Sequence, residues 1–430
     1  MGSTSGSRGR RAIAAGQTCV GVELNVGKTN RILIIVENLP VPFDRRVWME
    51  ATTLTEAGYE VSIISPQGMR YTEPYEELNG IRIYRYSPPP PTTSKLSYAW
   101  EFPYCWFQSL KLAMKAWREG GFDAIHACNP PDTFFLIGSL FKLFHRTKFV
   151  YDQHDLCPEL YLSRFGGSRS VYFRLLRMLE RATYRAADMV ISTNLSYKEH
   201  AATVGRFPED KIFVVRSGPK ASLLMPVEPQ PGLRKGKKFL VCYLGVMAPQ
   251  DGVDYLLRAI RHVVDVVKRK DIHFALIGSG DSFGAIQQLR DDLGLSDCVE
   301  MTGRIPDADV AGYLSTADLC VCPDPLNPLN DVSTMNKVLE YMTFGRAMVS
   351  FDLKESRFSA QDGALYVTPN DEIEFGEKMI QLLADEELRE EIGHRNRERI
   401  NKELSWEHTS KELLRAYGSL LGEPSGTEGC

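Results

Sequence analysis

No run in the 430 residues approaches the roughly 18 consecutive apolar side chains of a membrane-spanning helix. No Cys-x-x-Cys pair occurs among the nine cysteines, and their number is odd. Several sit in apolar runs such as Leu319–Cys322, which predicts reduced, mostly buried thiols in a cytoplasmic protein. Glycine is absent between Arg31 and Glu56, so the first strand–helix loop lacks the GxGxxG of a nicotinamide or flavin site. No metal-ligating cluster of His, Cys or carboxylate is legible, and neither a metal nor a cofactor is expected. Charge of one sign is not in excess: 51 Lys plus Arg face 55 Asp plus Glu, a net charge of -4. That balance excludes a dedicated nucleic-acid binder. Ala12–Ala15 is too short for a signal-peptide core, and Gly6 rules out a myristoylation site at Gly2. Residues 1–30 read as a disordered extension.

What is present is ordinary globular composition, 43% hydrophobic and 25% charged, over a length that suits two or three domains. Arg31–Val36 is an apolar run of the kind a buried parallel strand requires. A helix is predicted over Arg45–Glu56, ended by Gly58, and further strands and helices alternate as far as Ile212–Arg216. Residues 219–238 carry four prolines and a basic run, a linker. After it the alternation restarts at Phe239–Gly245 and ends in helices, the last over Glu407–Leu421. Two Rossmann-like α/β domains, each a doubly wound parallel sheet, are expected at 31–218 and 239–404. Residues 405–421 are expected to pack back on the first domain and 422–430 to form a tail. Facing sheets of this kind place a ligand cleft at the carboxyl ends of their strands.

Four segments carry candidate chemistry. Asp44, Arg45 and Arg46 open the first helix, where arginines meet a phosphate or carboxylate, or simply line a solvated turn. His154 follows a buried strand in Tyr151–Glu159, beside Asp155, and imidazole suits a sugar hydroxyl. His126 has the same placement and a weaker case. Gly278, in Ile277–Asp281, permits close approach of backbone or ligand. The richest segment is Asn327–Met342. Here Ser333 or Thr334 is expected to cap a helix whose free amides, with Met335 and Asn336 at its start, favour a diphosphate. Lys337 adds a full charge, and Glu340 lies one turn on, suited to vicinal hydroxyls or to an ion pair with Lys337.

These segments, with Tyr243–Ala259, Met301–Pro306 and Asp318, resemble the retaining GT-B glycosyltransferases of family four. The loop 38–48 and Tyr151–Tyr161 resemble the branch that builds O-antigen, capsule or exopolysaccharide, typified by N-acetyl-fucosaminyl transferases. The resemblance spans about residues 31–415. It implies transfer of a sugar from a nucleotide diphosphate, commonly UDP, to a lipid-linked or glycan acceptor. It implies that Glu340 holds the ribose, Lys337 neutralises the diphosphate, Arg304 and Ile305 read the base, and His154 reaches the transferred sugar. Two departures stand out. The partner glutamate eight residues before Glu340 is Val332, so Asp331, a backbone group or a different mode of recognition takes its place. Met247–Asp251 also lacks the family's Arg and Lys, leaving Lys337, Arg45 or Arg46 to compensate. A nucleotide-sugar epimerase and a non-catalytic nucleotide-sugar binder are the alternatives.

The near-neutral total hides an asymmetry. Residues 1–215 hold 26 basic and 21 acidic side chains, leaving 25 and 34 in the remainder. The aromatic, basic segment Lys95–Arg118 and the arginines 169, 174, 177, 181 and 185 suit an anionic membrane surface, or else a core and a solvated face. Peripheral attachment at the inner face of the plasma membrane is the expectation.

Overall fold

A computed structural model describes residues 29–89, 95–165, 170–220 and 225–422, without the side chains of 95–101. Most of the N-terminal extension, the end of the tail and part of the linker lie outside the described residues.

The first sheet is built from β1 (Arg31–Ile35), β2 (Glu60–Pro66), β3 (Tyr75–Leu78), β4 (Ile81–Tyr86), β5 (Ala124–Cys128), β6 (Lys148–Gln153), β7 (Met189–Ser192) and β8 (Ile212–Val214). Its order is β3-β4-β2-β1-β5-β6-β7-β8, parallel except for β3 against β4. The second sheet comprises β9 (Phe239–Leu244), β10 (Ile272–Ile277), β11 (Val299–Gly303), β12 (Leu319–Cys322), β13 (Met348–Phe351) and β14 (Ala364–Val367). It is parallel throughout, in the order β11-β10-β9-β12-β13-β14. Both are Rossmann-like, and together they make a GT-B architecture.

The apolar runs form strands because each strand must feed two cores. Along β1, Ile32 and Ile34 join one buried cluster while Leu33 and Ile35 join another on the opposite face. In β9, Val241 and Tyr243 separate from Leu240 and Cys242 in the same way. Period-two alternation of side chains makes an unbroken apolar run the signature of a sheet covered on both sides. β3, YEEL, escapes sequence reading because it is a half-exposed edge strand with no apolar run, and β14, ALYV, because its apolar run is only four residues long.

The helix Arg45–Glu56 has the expected limits. The last helix, Trp406–Leu421, lies on the first sheet: Trp406, Leu413, Ala416 and Tyr417 share a buried cluster with Val47 and Leu54. The Trp406 indole N–H donates to Thr53 Oγ1 at 2.9 Å. The two chain crossings between the halves touch, with Trp406 N–H donating to Pro219 O at 3.0 Å. Gly218 allows this approach, since a Cβ there would lie 2.1 Å from Leu404 O. The linker is not free: Val227 and Gln230 donate their N–H groups to Ser315 and Thr316 of the second half. The seven described cysteines are free thiols, and six are buried.

Candidate active site

The loops at the carboxyl ends of the two sheets meet. Leu156 and Tyr197 of the first half form one apolar cluster with Leu329 and Val332 of the second. Polar pairs surround it. Tyr197 and Ser333 share a hydrogen bond of 2.9 Å, Asn194 donates to Val332 O at 2.9 Å, and Ser196 donates to Glu355 at 2.7 Å. Sequence reading missed Asn194, Tyr197 and Glu355, because nothing in their spacing points to partners more than a hundred residues away.

On the second-half wall stands the helix Asn336–Thr343. Its N-cap is Met335, with no side-chain cap, which corrects the expectation of Ser333 or Thr334. Both hydroxyls are committed elsewhere: Ser333 Oγ donates to Leu329 O, and Thr334 Oγ1 accepts from Asn194 and Arg216. Val338 N donates to Met335 O at 3.0 Å, and the amides before it in the first turn keep their capacity for an anion. Asn336 is exposed beside them.

Lys337 and Glu340 share a face but do not pair with each other. Lys337 is buried, 2.7 Å from Asp324 Oδ1 and 4.9 Å from the Tyr243 ring centroid. Burial disfavours its ammonium, yet Asp324, Tyr243 and Asp251 together outweigh burial and hold the lysine pKa well above its ordinary value. Asp324 follows β12, and nothing in the sequence singled it out. Glu340 faces across the cleft to Arg45 at 3.2 Å, and Arg45 also bridges to Asp307. Burial pushes the Glu340 carboxyl up to about 7, with Arg45 opposing. Arg304 lies 4.0 Å above the Phe43 ring, another contact between the halves, and Ile305 packs against a core cluster of the second half. Asp331 does not turn into the cleft: its carboxylate accepts from Lys354 N at 2.9 Å, at the start of the next helix. Gly278 has a φ of +135°, and a Cβ there would lie 1.8 Å from Gly245 O. The close approach is therefore backbone against backbone.

The first-half wall holds a buried charge network. Arg46 is 8% exposed, and its guanidinium meets Asp152 at 2.8 Å, Glu50 at 2.9 Å and Val215 O at 2.7 Å. This corrects its placement on the phosphate side: its charge is consumed inside the domain. Asp44 is likewise corrected, for its carboxylate caps the first helix by accepting from Val47 N at 3.1 Å. Asp155 is half-buried, and burial raises its pKa.

His154 Nε2 lies against Asp152 Oδ2 and 3.1 Å from Arg46 Nε. His126 Nε2 reaches the same Asp152 oxygen at 3.2 Å, and its Nδ1 meets Tyr417 OH of the last helix at 2.7 Å. Burial raises Asp152, but Arg46 and His154 overcome it and hold the carboxyl well below the usual range. Burial pushes Glu50 the other way, well above its ordinary value. The two buried carboxyls are thus pushed in opposite directions around one guanidinium.

Three sets of potential metal-ligand atoms occur among the described residues: His126–Cys128–Asp152, Glu50–Asp152–His154 and Glu159–Glu180–His200. Arg46 bonds Asp152 in the first two, and Arg177 bonds Glu159 and Glu180 in the third. A resident guanidinium supplies the positive charge that a cation would bring.

Family models match the chain in two consecutive blocks. Residues 44–218 match the glycosyl transferase 4-like domain, and residues 238–385 match the glycosyl transferases group 1. The chain belongs to the group 1 glycosyltransferases. This glycosyltransferase is 23% identical over 380 residues to an uncharacterised glycosyltransferase of Methanocaldococcus jannaschii, covering 85% of this chain and 91% of that one. Its fold is similar to sucrose-phosphate synthase of Thermosynechococcus elongatus, with a TM-score of 0.74, 19% identity and coverage of 91% and 99%. It is also similar to the Anabaena protein HepE in complex with UDP and glucose, with a TM-score of 0.67, 14% identity and coverage of 90% and 99%. At those identities the two structures show the shared fold alone.

Proposed function

We propose that this glycosyltransferase moves a sugar from a nucleotide diphosphate, a UDP-sugar, to a lipid-linked or glycan acceptor with retention of anomeric configuration. The acceptor stands at the anionic inner face of the plasma membrane, in assembly of a bacterial surface polysaccharide. The observation that carries this reading is the facing pair of walls: an uncapped helix start with Lys337 and Glu340 on one side, Arg45 and His154 on the other. Ribose hydroxyls suit the Glu340 carboxylate, and the base suits the surface of Arg304 and Ile305. The diphosphate suits the helix amides at Met335 and Asn336, where the dipole and Lys337 favour growing negative charge. Asp152 orients His154 toward the transferred sugar, in the manner of a carboxylate that sets an imidazole tautomer. The diphosphate of HepE's bound UDP supports the donor class by analogy.

The pairing of Lys337 with Asp324 favours one second reading, a non-catalytic nucleotide-sugar binder, because the lysine's charge is already balanced. A thermal-shift panel of UDP-, GDP- and dTDP-sugars, followed by product analysis with crude lipid extract, separates the cases. Stabilisation by a UDP-sugar and an acceptor-dependent product with the donor's anomeric configuration is the expected result. Turnover without acceptor points to an epimerase, and binding without hydrolysis or transfer to the binder. An inverted product overturns the retaining mechanism.

A further inference from the structure

Two helices pack on the outer side of the first sheet, Phe135–His145 and Val171–Ala186. Their inner faces supply Ile137, Phe141 and Tyr184 to the core. Their outer faces are unusually apolar for an exposed surface. Leu143 is 77% exposed, Phe144 68%, Val171 80%, Tyr172 69% and Met178 58%. With Leu136 at 49%, Leu140 at 40% and Leu175 at 44%, large apolar side chains recur at intervals of three to four residues along the outer face of each helix.

The same faces carry Arg146, Arg174, Arg181 and Arg185, all exposed. Phe135–His145 contains no acidic residue, and Val171–Ala186 contains only Glu180, which is buried against Arg177 and His200. The helices are held side by side where Lys142 donates to Ala186 O at 3.1 Å and pairs with Asp188 at 2.8 Å. The other end of the second helix borders the cleft. The Tyr172 ring lies tilted beside that of Tyr161 with centroids 6.4 Å apart, and Tyr161 lies on the helix Cys157–Phe165. Arg164 of that helix reaches Asp281 of the second half at 3.9 Å. Phe165, at its end, is 57% exposed. The 16-residue second helix is about 24 Å long by its rise per residue.

We propose that the outer face of these two helices docks the protein on an anionic bilayer, apolar side chains in the headgroup boundary and arginines on lipid phosphates, with the cleft mouth at the membrane. The proposal rests on the membrane-bound acceptor proposed above and locates it on the molecule. Charge selects this occupant over a second copy, because a two-fold pairing of the face sets arginines against arginines. The aromatic segment expected for this role is divided: Trp117 stacks on His145 and packs with Phe122 and Phe141, whereas Phe107 is 63% exposed.

The test is flotation of the full chain with vesicles of phosphatidylcholine alone and of phosphatidylcholine mixed with phosphatidylglycerol. Binding to the anionic vesicles alone, weakened by salt, is expected. Leu143→Ser with Phe144→Ser, and separately Arg174→Glu with Arg181→Glu, each lower the bound fraction about tenfold. An unchanged thermal midpoint confirms that each variant folds. Absence of flotation, or equal binding to both vesicles that the arginine variant does not change, overturns the proposal. So does a concentration-dependent dimer that the Leu143 and Phe144 variant abolishes, which assigns the face to a second copy. Failure of sugar transfer in a protein that still floats counts against the transferase reading alone. Transfer to a soluble acceptor by a protein that never floats counts against docking alone.

Discussion

Arg45 of the first half holds Glu340 of the second at 3.2 Å, across the cleft that a donor must enter. The Arg45 side chain is 44% exposed, so the pair contributes about 1 kcal/mol at most and is displaced at little cost. Ribose hydroxyls then take the carboxylate, and the guanidinium, still paired through its other nitrogen with Asp307, has one released N–H for the diphosphate. Arg45→Gln is expected to leave uridine affinity unchanged or slightly improved and to weaken UDP about tenfold, as read by titration calorimetry. Equal weakening of both ligands rules out this exchange.

Lys337 sits in a buried pair, so its removal acts on stability as well as on rate. Lys337→Met is expected to cost about 3–5 kcal/mol in urea unfolding, because Asp324 is left buried and uncompensated. Adding Asp324→Leu recovers most of that loss. Turnover in Lys337→Ala falls about 10²–10³-fold if its charge meets the leaving diphosphate. Turnover equal to wild type excludes that role.

Asp152 sets the position of His154. Asp152→Asn is expected to lower kcat about 10²-fold with donor KM little changed, and to move the pH dependence of kcat. In the double variant with His154→Ala the two effects should fail to add, as for residues acting as one unit. Full additivity makes Asp152 merely structural.

The Glu340 carboxyl titrates at about 7 in the folded chain, above its ordinary value. Between roughly pH 4.5 and 7 the folded state holds a proton that the unfolded state has lost, so this group's contribution to stability is present at low pH and lost as pH rises through 7. Glu340→Gln should flatten that part of the stability profile. Donor binding should change in the opposite sense, strengthening as the carboxylate forms. A wild-type UDP affinity flat from pH 5.5 to 8 contradicts the ribose role.

Gly278→Ala places a Cβ where Gly245 O lies, at a φ of +135°. A loss of about 3 kcal/mol or more in urea unfolding is expected, since the stiffer unfolded chain offsets only about 0.4–1 kcal/mol of the strain. A neutral substitution would show that the two loops separate freely.

Much of the fold was legible because its signals are local. Gly58 ends the helix that Asp44 begins, and the limits Arg45–Glu56 follow from those neighbours. The buried strands announced themselves by apolar runs that only a doubly covered sheet can bury. β3 did not, since it is half exposed and carries no such run, nor did β14, whose apolar run is only four residues long. In the site, the resemblance marked Glu340, Lys337 and His154. Most of the misplaced residues were polar ones whose partners lie far along the chain, Arg46 with Asp152, Asp331 with Lys354 N, and Ser333 with Tyr197, while Asp44 was a local helix cap on Val47 N.

The sequence alone determined two α/β halves, the helix that carries Lys337 and Glu340 on one face, and membership of a family. Periodicity and neighbour chemistry decide such features within a few residues. Only the tertiary structure decided which charges remain for a substrate. Whether Arg45 or Arg46 meets the cleft is a matter of one residue's rotation on a helix, about 100°. It points Arg46 into Asp152 and Arg45 toward Glu340. Ionic partners are chosen by proximity in space, and burial sets the strength of each pairing, so neither can be read from spacing along the chain.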